Sequence, residues 1–134
     1  MKPVVEGGCL CGAVRYRASG ESDHRTFCHC NSCRRAAGAP VVAWTTFSPA
    51  RFEFTKGPPA RYRSSPPVER TFCSTCGTPL TYQHASFPGE IDVTVASLDN
   101  PSAFPPADHI WTSQKIPWLE LGDHLPRHER SRFE

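Results

Sequence analysis

Apolar residues recur along this chain mostly at every second position, in short runs broken by glycine and proline. A period of two puts successive side chains on opposite faces of a strand. Ala13-Val14-Arg15-Tyr16-Arg17 alternates in this way, Val41 to Phe47 is β-branched and aromatic, and Phe52 and Phe54 flank Glu53. Lys56-Gly57-Pro58-Pro59 predicts a turn into Arg61-Tyr62-Arg63, and Thr71-Phe72 adds another short stretch. Ile91-Asp92-Val93-Thr94-Val95 is the cleanest alternation, with its apolar set on one face. One short helix is expected over Asn31 to Ala37, favoured by Ala36 and Ala37 and ended by Gly38 and Pro40. The pattern therefore predicts a mainly β chain. Pro101, Pro105, Pro106, Pro117 and Pro126 predict irregular coil over the last third, and the charged tail 127–134 is expected to be disordered.

Composition sharpens this picture. A chain of 134 residues is one domain of ordinary size, here residues 1–126 plus the tail. Hydrophobic residues make up only 38% and prolines number 14, so a modest core in need of a metal is expected. No apolar run approaches the ~20 residues of a membrane span, and Met1-Lys2-Pro3-Val4-Val5 does not read as a leader. These features predict a cytoplasmic protein without membrane contact, where clustered cysteines are metal-binding or catalytic rather than disulfide-bonded. The formal charge of +2 falls to about −1 once seven thiolates and two Zn²⁺ are counted, so nothing in the overall charge favours nucleic acid.

The chemistry lies in seven cysteines in three clusters: Cys9 and Cys11, then Cys28, Cys30 and Cys33, then Cys73 and Cys76. Seven divides as four plus three. Cys9 and Cys11, two apart, can point the same way from an extended strand, and Cys73 and Cys76 form a Cys-x-x-Cys knuckle. Each pair is followed by a glycine, Gly12 or Gly77, that lets backbone N–H groups turn toward the sulfurs. One Zn²⁺ on these four sulfurs would clamp the two halves of the domain. Reduced, unligated cysteines are the plainer alternative.

Cys28, Cys30 and Cys33 can share a second ion that lacks a local fourth ligand unless His29 or His24 bends in. An open zinc position is where a thiol could bind, lose its proton and attack a carbonyl. His29 is a candidate for acid–base or hydrogen-bonding work, or for packing. Arg34 and Arg35 could offset the site's charge or grip substrate carboxylates, or be two solvated arginines. His109, Trp111, Lys115 and Trp118 could wall a pocket, although Trp111 and Trp118 read better as core plugs. His84, His124 and His128 read as surface histidines.

Three ordered stretches carry a family resemblance: Gly7-Gly8-Cys9-Leu10-Cys11-Gly12-Ala13-Val14-Arg15-Tyr16, Cys28-His29-Cys30-Asn31-Ser32-Cys33-Arg34-Arg35, and Phe72-Cys73-Ser74-Thr75-Cys76-Gly77-Thr78-Pro79-Leu80. Together with Ala96-Ser97-Leu98-Asp99 and Asp108-His109-Ile110-Trp111, they resemble the glutathione-dependent formaldehyde-activating enzymes, a family that includes the centromere protein V domain. The resemblance implies a β-tent fold of small antiparallel sheets around a structural zinc. It implies a structural zinc on Cys9, Cys11, Cys73 and Cys76, and a more labile zinc on Cys28, Cys30 and Cys33. The family activity it implies joins glutathione and formaldehyde into S-hydroxymethylglutathione, a carbon–sulfur lyase reaction in reverse. The expected function is thus a zinc-dependent enzyme acting on a small thiol and an aldehyde. A non-catalytic zinc or thiol carrier, or an interaction module, is the alternative.

Overall fold

The computed structural model describes residues 3–133. Among these residues, ten strands form two sheets. The smaller holds β1 (Val4–Gly8), β2 (Arg15–Ser19) and β5 (Phe52–Lys56), in the order β1-β2-β5. The larger has seven strands: β3 (Arg25–Cys28), β4 (Val42–Phe47), β6 (Ala60–Ser65), β7 (Val68–Phe72), β8 (Pro79–His84), β9 (Ile91–Thr94) and β10 (Asp108–Ile110). Their spatial order is β10-β3-β4-β9-β8-β7-β6. Every pairing is antiparallel except β10 with β3. The expected helix spans Asn31–Ala37 (α1), and Gly38 closes it at φ 62° in the left-handed region.

Alternation decides which side chains enter the core. Ile91 and Val93 face inward with Phe47, against Tyr16 and Ala18 of the smaller sheet and Leu80. This apolar layer packs the two sheets together, and Tyr16, Phe47, Leu80 and Val93 are fully buried. On the opposite face of the large sheet, the register places Arg70 beside Tyr82, Tyr82 beside Asp92, and Asp92 beside Thr46. Cross-strand partners share a face. One row across β7, β8, β9 and β4 is therefore polar where a second apolar layer would otherwise form.

The C-terminal third departs from the sequence-based expectation. It contains β10, whose parallel pairing with β3 needs residues some eighty positions apart, a contact that no local pattern signals. Residues 127–133 are not loose either. The His128 N–H donates to the His109 carbonyl, Trp111 N–H to Arg130, and Thr112 N–H to the His128 carbonyl. Arg132 holds Asp108 through two hydrogen bonds. Backbone pairing and the charged grip of Arg132 fasten the segment that its composition suggested would be free. His128 likewise lies half-buried, 3.7 Å from Asp108, rather than free in solvent. Trp118 is 72% exposed and so is not the core plug its size suggested. Among the described residues, no helix is long and apolar enough to cross a membrane.

Candidate metal centres and cavity

Two sulfur groups form, divided as the cysteine count suggested. In each, the sulfurs lie within 4.8 Å of one another: Cys9, Cys11, Cys73 and Cys76 in one, and Cys28, Cys30 and Cys33 in the other. Within the first group, Sγ of Cys11 stands 3.6 Å from that of Cys9 and 3.7 Å from that of Cys73. Sulfurs held ~2.3 Å from one tetrahedral ion would be about 3.8 Å apart, whereas a disulfide would need about 2.05 Å. The four-sulfur group thus fits a metal ion, and all seven cysteines are free thiols.

The first group does not form in the way the spacing suggested. Strand β1 ends at Gly8, so Cys9 and Cys11 converge through a tight turn rather than by alternation along a strand. Gly12 N–H closes that turn onto the Cys9 carbonyl, and the Val14 N–H donates to Cys9 Sγ at 3.2 Å. The other pair repeats the device. Gly77 N–H closes onto the Cys73 carbonyl, and the Thr75 and Cys76 N–H groups donate to Cys73 Sγ at 3.4 Å. Gly12 and Gly77 both sit at φ 81°, which costs a side-chain-bearing residue strain. The Cys76 thiol is pulled down to about 5, chiefly by the Thr78 hydroxyl. Because one pair follows β1 and the other follows β7, the group ties the small sheet to the large one.

The second group is local. Cys28 ends β3, Cys30 caps α1, and Cys33 lies in its first turn; the Cys33 N–H donates to Cys30 Sγ at 3.3 Å. Crowding splits the three thiols. Cys30 is pulled far down, first by hydrogen bonding from Cys28 and then from Cys33, while Cys28 is pushed up by its own hydrogen bonding to Cys30 and Cys33 and then by burial. Three clustered thiolates require a cation to ionise together. That is the chemistry of a metal-binding donor set, and neither His24 nor His29 belongs to the group.

The three sulfurs open on a cavity of about 420 Å³, lined also by Trp44, Arg70, Tyr82, Asp92 and Trp111. A second cavity, of about 640 Å³, meets the first at Cys33, Trp44, Ser64 and Arg70. Asp92 is raised to about 6 by burial, against the lowering effect of its hydrogen bond from Thr46.

His29 lines neither of these spaces. Its fully buried ring borders a smaller cavity of about 240 Å³ and meets His109 Nδ1 through Nε2 at 2.8 Å. His109 Nε2 in turn donates to the Asp123 carboxylate at 3.0 Å. Burial, then the neighbouring His109, lowers His29 to about 4, and its Nδ1 has no hydrogen-bond partner. Arg34 is spent on structure: it donates to the carbonyls of His29 and Gln114 and to Asn31 Oδ1. Arg35 is exposed and donates to Asn31 Oδ1. Trp111 does line the sulfur cavity, and so does His84.

Arg70 was not visible as a site residue in the sequence. Its one signal was phase: it falls two residues after Val68, on that residue's buried face, where an arginine has no ordinary reason to be.

Comparison with known proteins agrees with this geometry. A crystal structure of a Rhodobacter sphaeroides protein superposes with a TM-score of 0.62 at 24% identity, covering 91% of this chain and 98% of that one, which shows the fold. An uncharacterized lyase of Schizosaccharomyces pombe is 35% identical over 85 residues, a match that spans 63% of this chain and 61% of that protein's length. A Halomonas elongata protein named "Putative glutathione-dependent formaldehyde-activating enzyme" is 28% identical over 129 residues, covering 88% of this chain and 81% of its own. The sequence model of the glutathione-dependent formaldehyde-activating enzymes matches residues 4–114, a stretch that contains both sulfur groups, and the chain belongs to that family.

Proposed function

We propose that the chain is a zinc-dependent carbon–sulfur lyase-type enzyme that forms or cleaves a thiol–aldehyde adduct such as S-hydroxymethylglutathione. The observation that carries the proposal is the three-sulfur group: Cys28, Cys30 and Cys33 converge beside a cavity of about 420 Å³ with no fourth protein ligand among the described residues. Zinc held there would act as a Lewis acid that lowers the pKa of a substrate thiol. Cys9, Cys11, Cys73 and Cys76 would hold the structural zinc.

The reaction balances without an oxidant. A carbon–sulfur bond forms between the thiol and the carbonyl carbon, the C=O π bond opens, and the thiol proton ends on the new hydroxyl. The cavity walls bring thiol and aldehyde together, which turns a bimolecular encounter into a positioned one. Cys33 presents its sulfur from a helix whose first turn is capped by Cys30, so two of the three donors are tied to each other. We assign His29 to positioning: through His109 and Asp123 it anchors the loop between Cys28 and Cys30. Arg34 fastens the same loop to the segment around Gln114, and Arg35 at the second cavity is available to an anionic group. Under this proposal the two-sheet arrangement around the four-sulfur group corresponds to a β-tent, and the setting is cytoplasmic.

The test is exchange NMR of glutathione with formaldehyde in the presence of the zinc-loaded chain. Acceleration of adduct exchange above the protein-free rate is expected. An unchanged rate together with calorimetric glutathione binding would instead identify a carrier.

A further inference from the structure

Arg70 is 8% exposed and forms no ion pair with any carboxylate among the described residues. A buried cation left this way is costly unless something else answers its charge. None of its partners is a carboxylate. Nε donates to Ser64 Oγ at 3.2 Å, Nη2 donates to Cys33 Sγ at 3.8 Å, so the sulfurs answer part of its charge, and the guanidinium stands 4.9 Å over the Tyr82 ring. Among the described residues Nη1 has no hydrogen-bond partner, and it keeps some exposure to solvent.

Location makes this more than an oddity of packing. Arg70 and Cys33 both line the two cavities, so the guanidinium stands in the partition between them and beside the sulfurs. The other arginine on the first cavity, Arg132, is occupied by Asp108. The row Arg70, Tyr82, Asp92, Thr46 gives the cavity floor a polarity. Its cation lies beside the sulfurs, and its carboxylate stands two strands away, roughly 10 Å across the sheet. An anionic ligand is drawn to the sulfur end and repelled from the other.

We infer that Arg70 is the anion-recognition residue of the three-sulfur site, and that the thiol accepted there carries a carboxylate a few bonds from its sulfur. The inference rests on the proposal that this site takes a thiol. A guanidinium matches a carboxylate with paired N–H donors, and in a desolvated pocket such bonds are roughly twice as strong as neutral ones. The short reach from Nη2 to Cys33 Sγ sets the separation: thiol and carboxylate must fit side by side, as in a short mercapto acid or a folded thiol peptide.

The test compares two probes of equal size, 3-mercaptopropionate and 3-mercaptopropionamide, titrated calorimetrically into the zinc-loaded full chain. The acid is expected to bind at least about tenfold tighter than the amide. Arg70→Met should bring the ratio near one, and Arg70→Lys should keep part of it, with metal content and thermal midpoint recorded for each. Equal affinities in the wild type overturn the assignment of Arg70 while leaving the thiol site intact. A preference that survives Arg70→Met also overturns it, whether or not metal is lost. Binding of neither thiol overturns the thiol-site proposal and this inference with it. A clear preference without any acceleration of adduct exchange supports Arg70 and removes only the catalytic claim.

Discussion

The two sulfur groups use the same atoms for opposite ends. The four-sulfur group joins chain segments 62 residues apart, one from each sheet, through two matching turns that aim N–H groups at sulfur. The three-sulfur group takes all its donors from six residues of one strand end and one helix, and it faces a cavity instead of a fourth ligand. Closing a long loop gives a metal leverage over folding. A short-range group closes almost none, so an ion there contributes little to folding and its open side is available to a ligand.

The largest effect expected from this contrast is at Cys73. A structural zinc contributes roughly 10–16 kcal/mol in small peptides, against a total stability of about 5–15 kcal/mol for a typical domain. Cys73→Ala should therefore abolish the cooperative thermal transition followed by circular dichroism. A variant that melts within a few degrees of the wild type would mean that the sheets hold each other without an ion.

Cys30→Ala should separate function from fold. Metal analysis should show about one equivalent fewer per chain, and adduct exchange should slow by at least about a hundredfold, the loss of several kcal/mol of Lewis-acid stabilisation. The melting transition should persist. If Cys30→Ala unfolds the protein as readily as Cys73→Ala, the two groups are not different in kind.

Asp92 probes the strain on the cavity side. Burial disfavours its charge and pushes the carboxyl up from 3.8 to about 6 in the fold. The folded state therefore binds this proton more tightly. Above pH 6 the charged group lowers stability, by up to roughly 3 kcal/mol, and the penalty fades as pH falls through 6 toward 3.8. Asp92→Asn should raise the melting midpoint at pH 8 and leave it nearly unchanged at pH 4. An equal gain at both values would show that charge is not the cause.

The smallest change is at Gly77. Nothing lies within 4 Å of a Cβ added there, so Gly77→Ala tests only the φ of 81°. The expected cost is about 1–2 kcal/mol, read as a modest drop in thermal midpoint. A much larger loss would mean that the turn's aim at Cys73 has failed as well.

Much of this was legible along the chain. The helix over Asn31–Ala37, the strand at Ile91 and the division of sulfurs into four and three follow from local signals: alternation, helix-ending residues and ligand spacing. Strands β1, β3 and β8 do not stand out along the chain, because glycine, histidine and mixed polar residues blur their period. Strand β10 stayed hidden for a different reason: three residues cannot declare a strand, and its partner is remote. The candidates around the open site divided in the same way. Cys28, Cys30 and Cys33 converge because they are neighbours in sequence. Arg34 looks available but is consumed by the neighbouring His29 carbonyl and by the Gln114 carbonyl, which the fold brings in from 80 positions away.

What the chain determined alone was the inventory and its local geometry: seven sulfurs, two glycine-closed turns, and a strand-rich frame with one helix. Only the tertiary structure decided where the charges would lie. It turned His29 onto His109 and away from the sulfurs, bound Arg132 to Asp108 of β10, and stood Arg70 between two cavities with no carboxylate partner among the described residues. The reason is range. Backbone periodicity and ligand spacing act over a few residues. The environment of a charge depends on what the sheet register lays beside it, and in this fold those neighbours come from ten to eighty positions away.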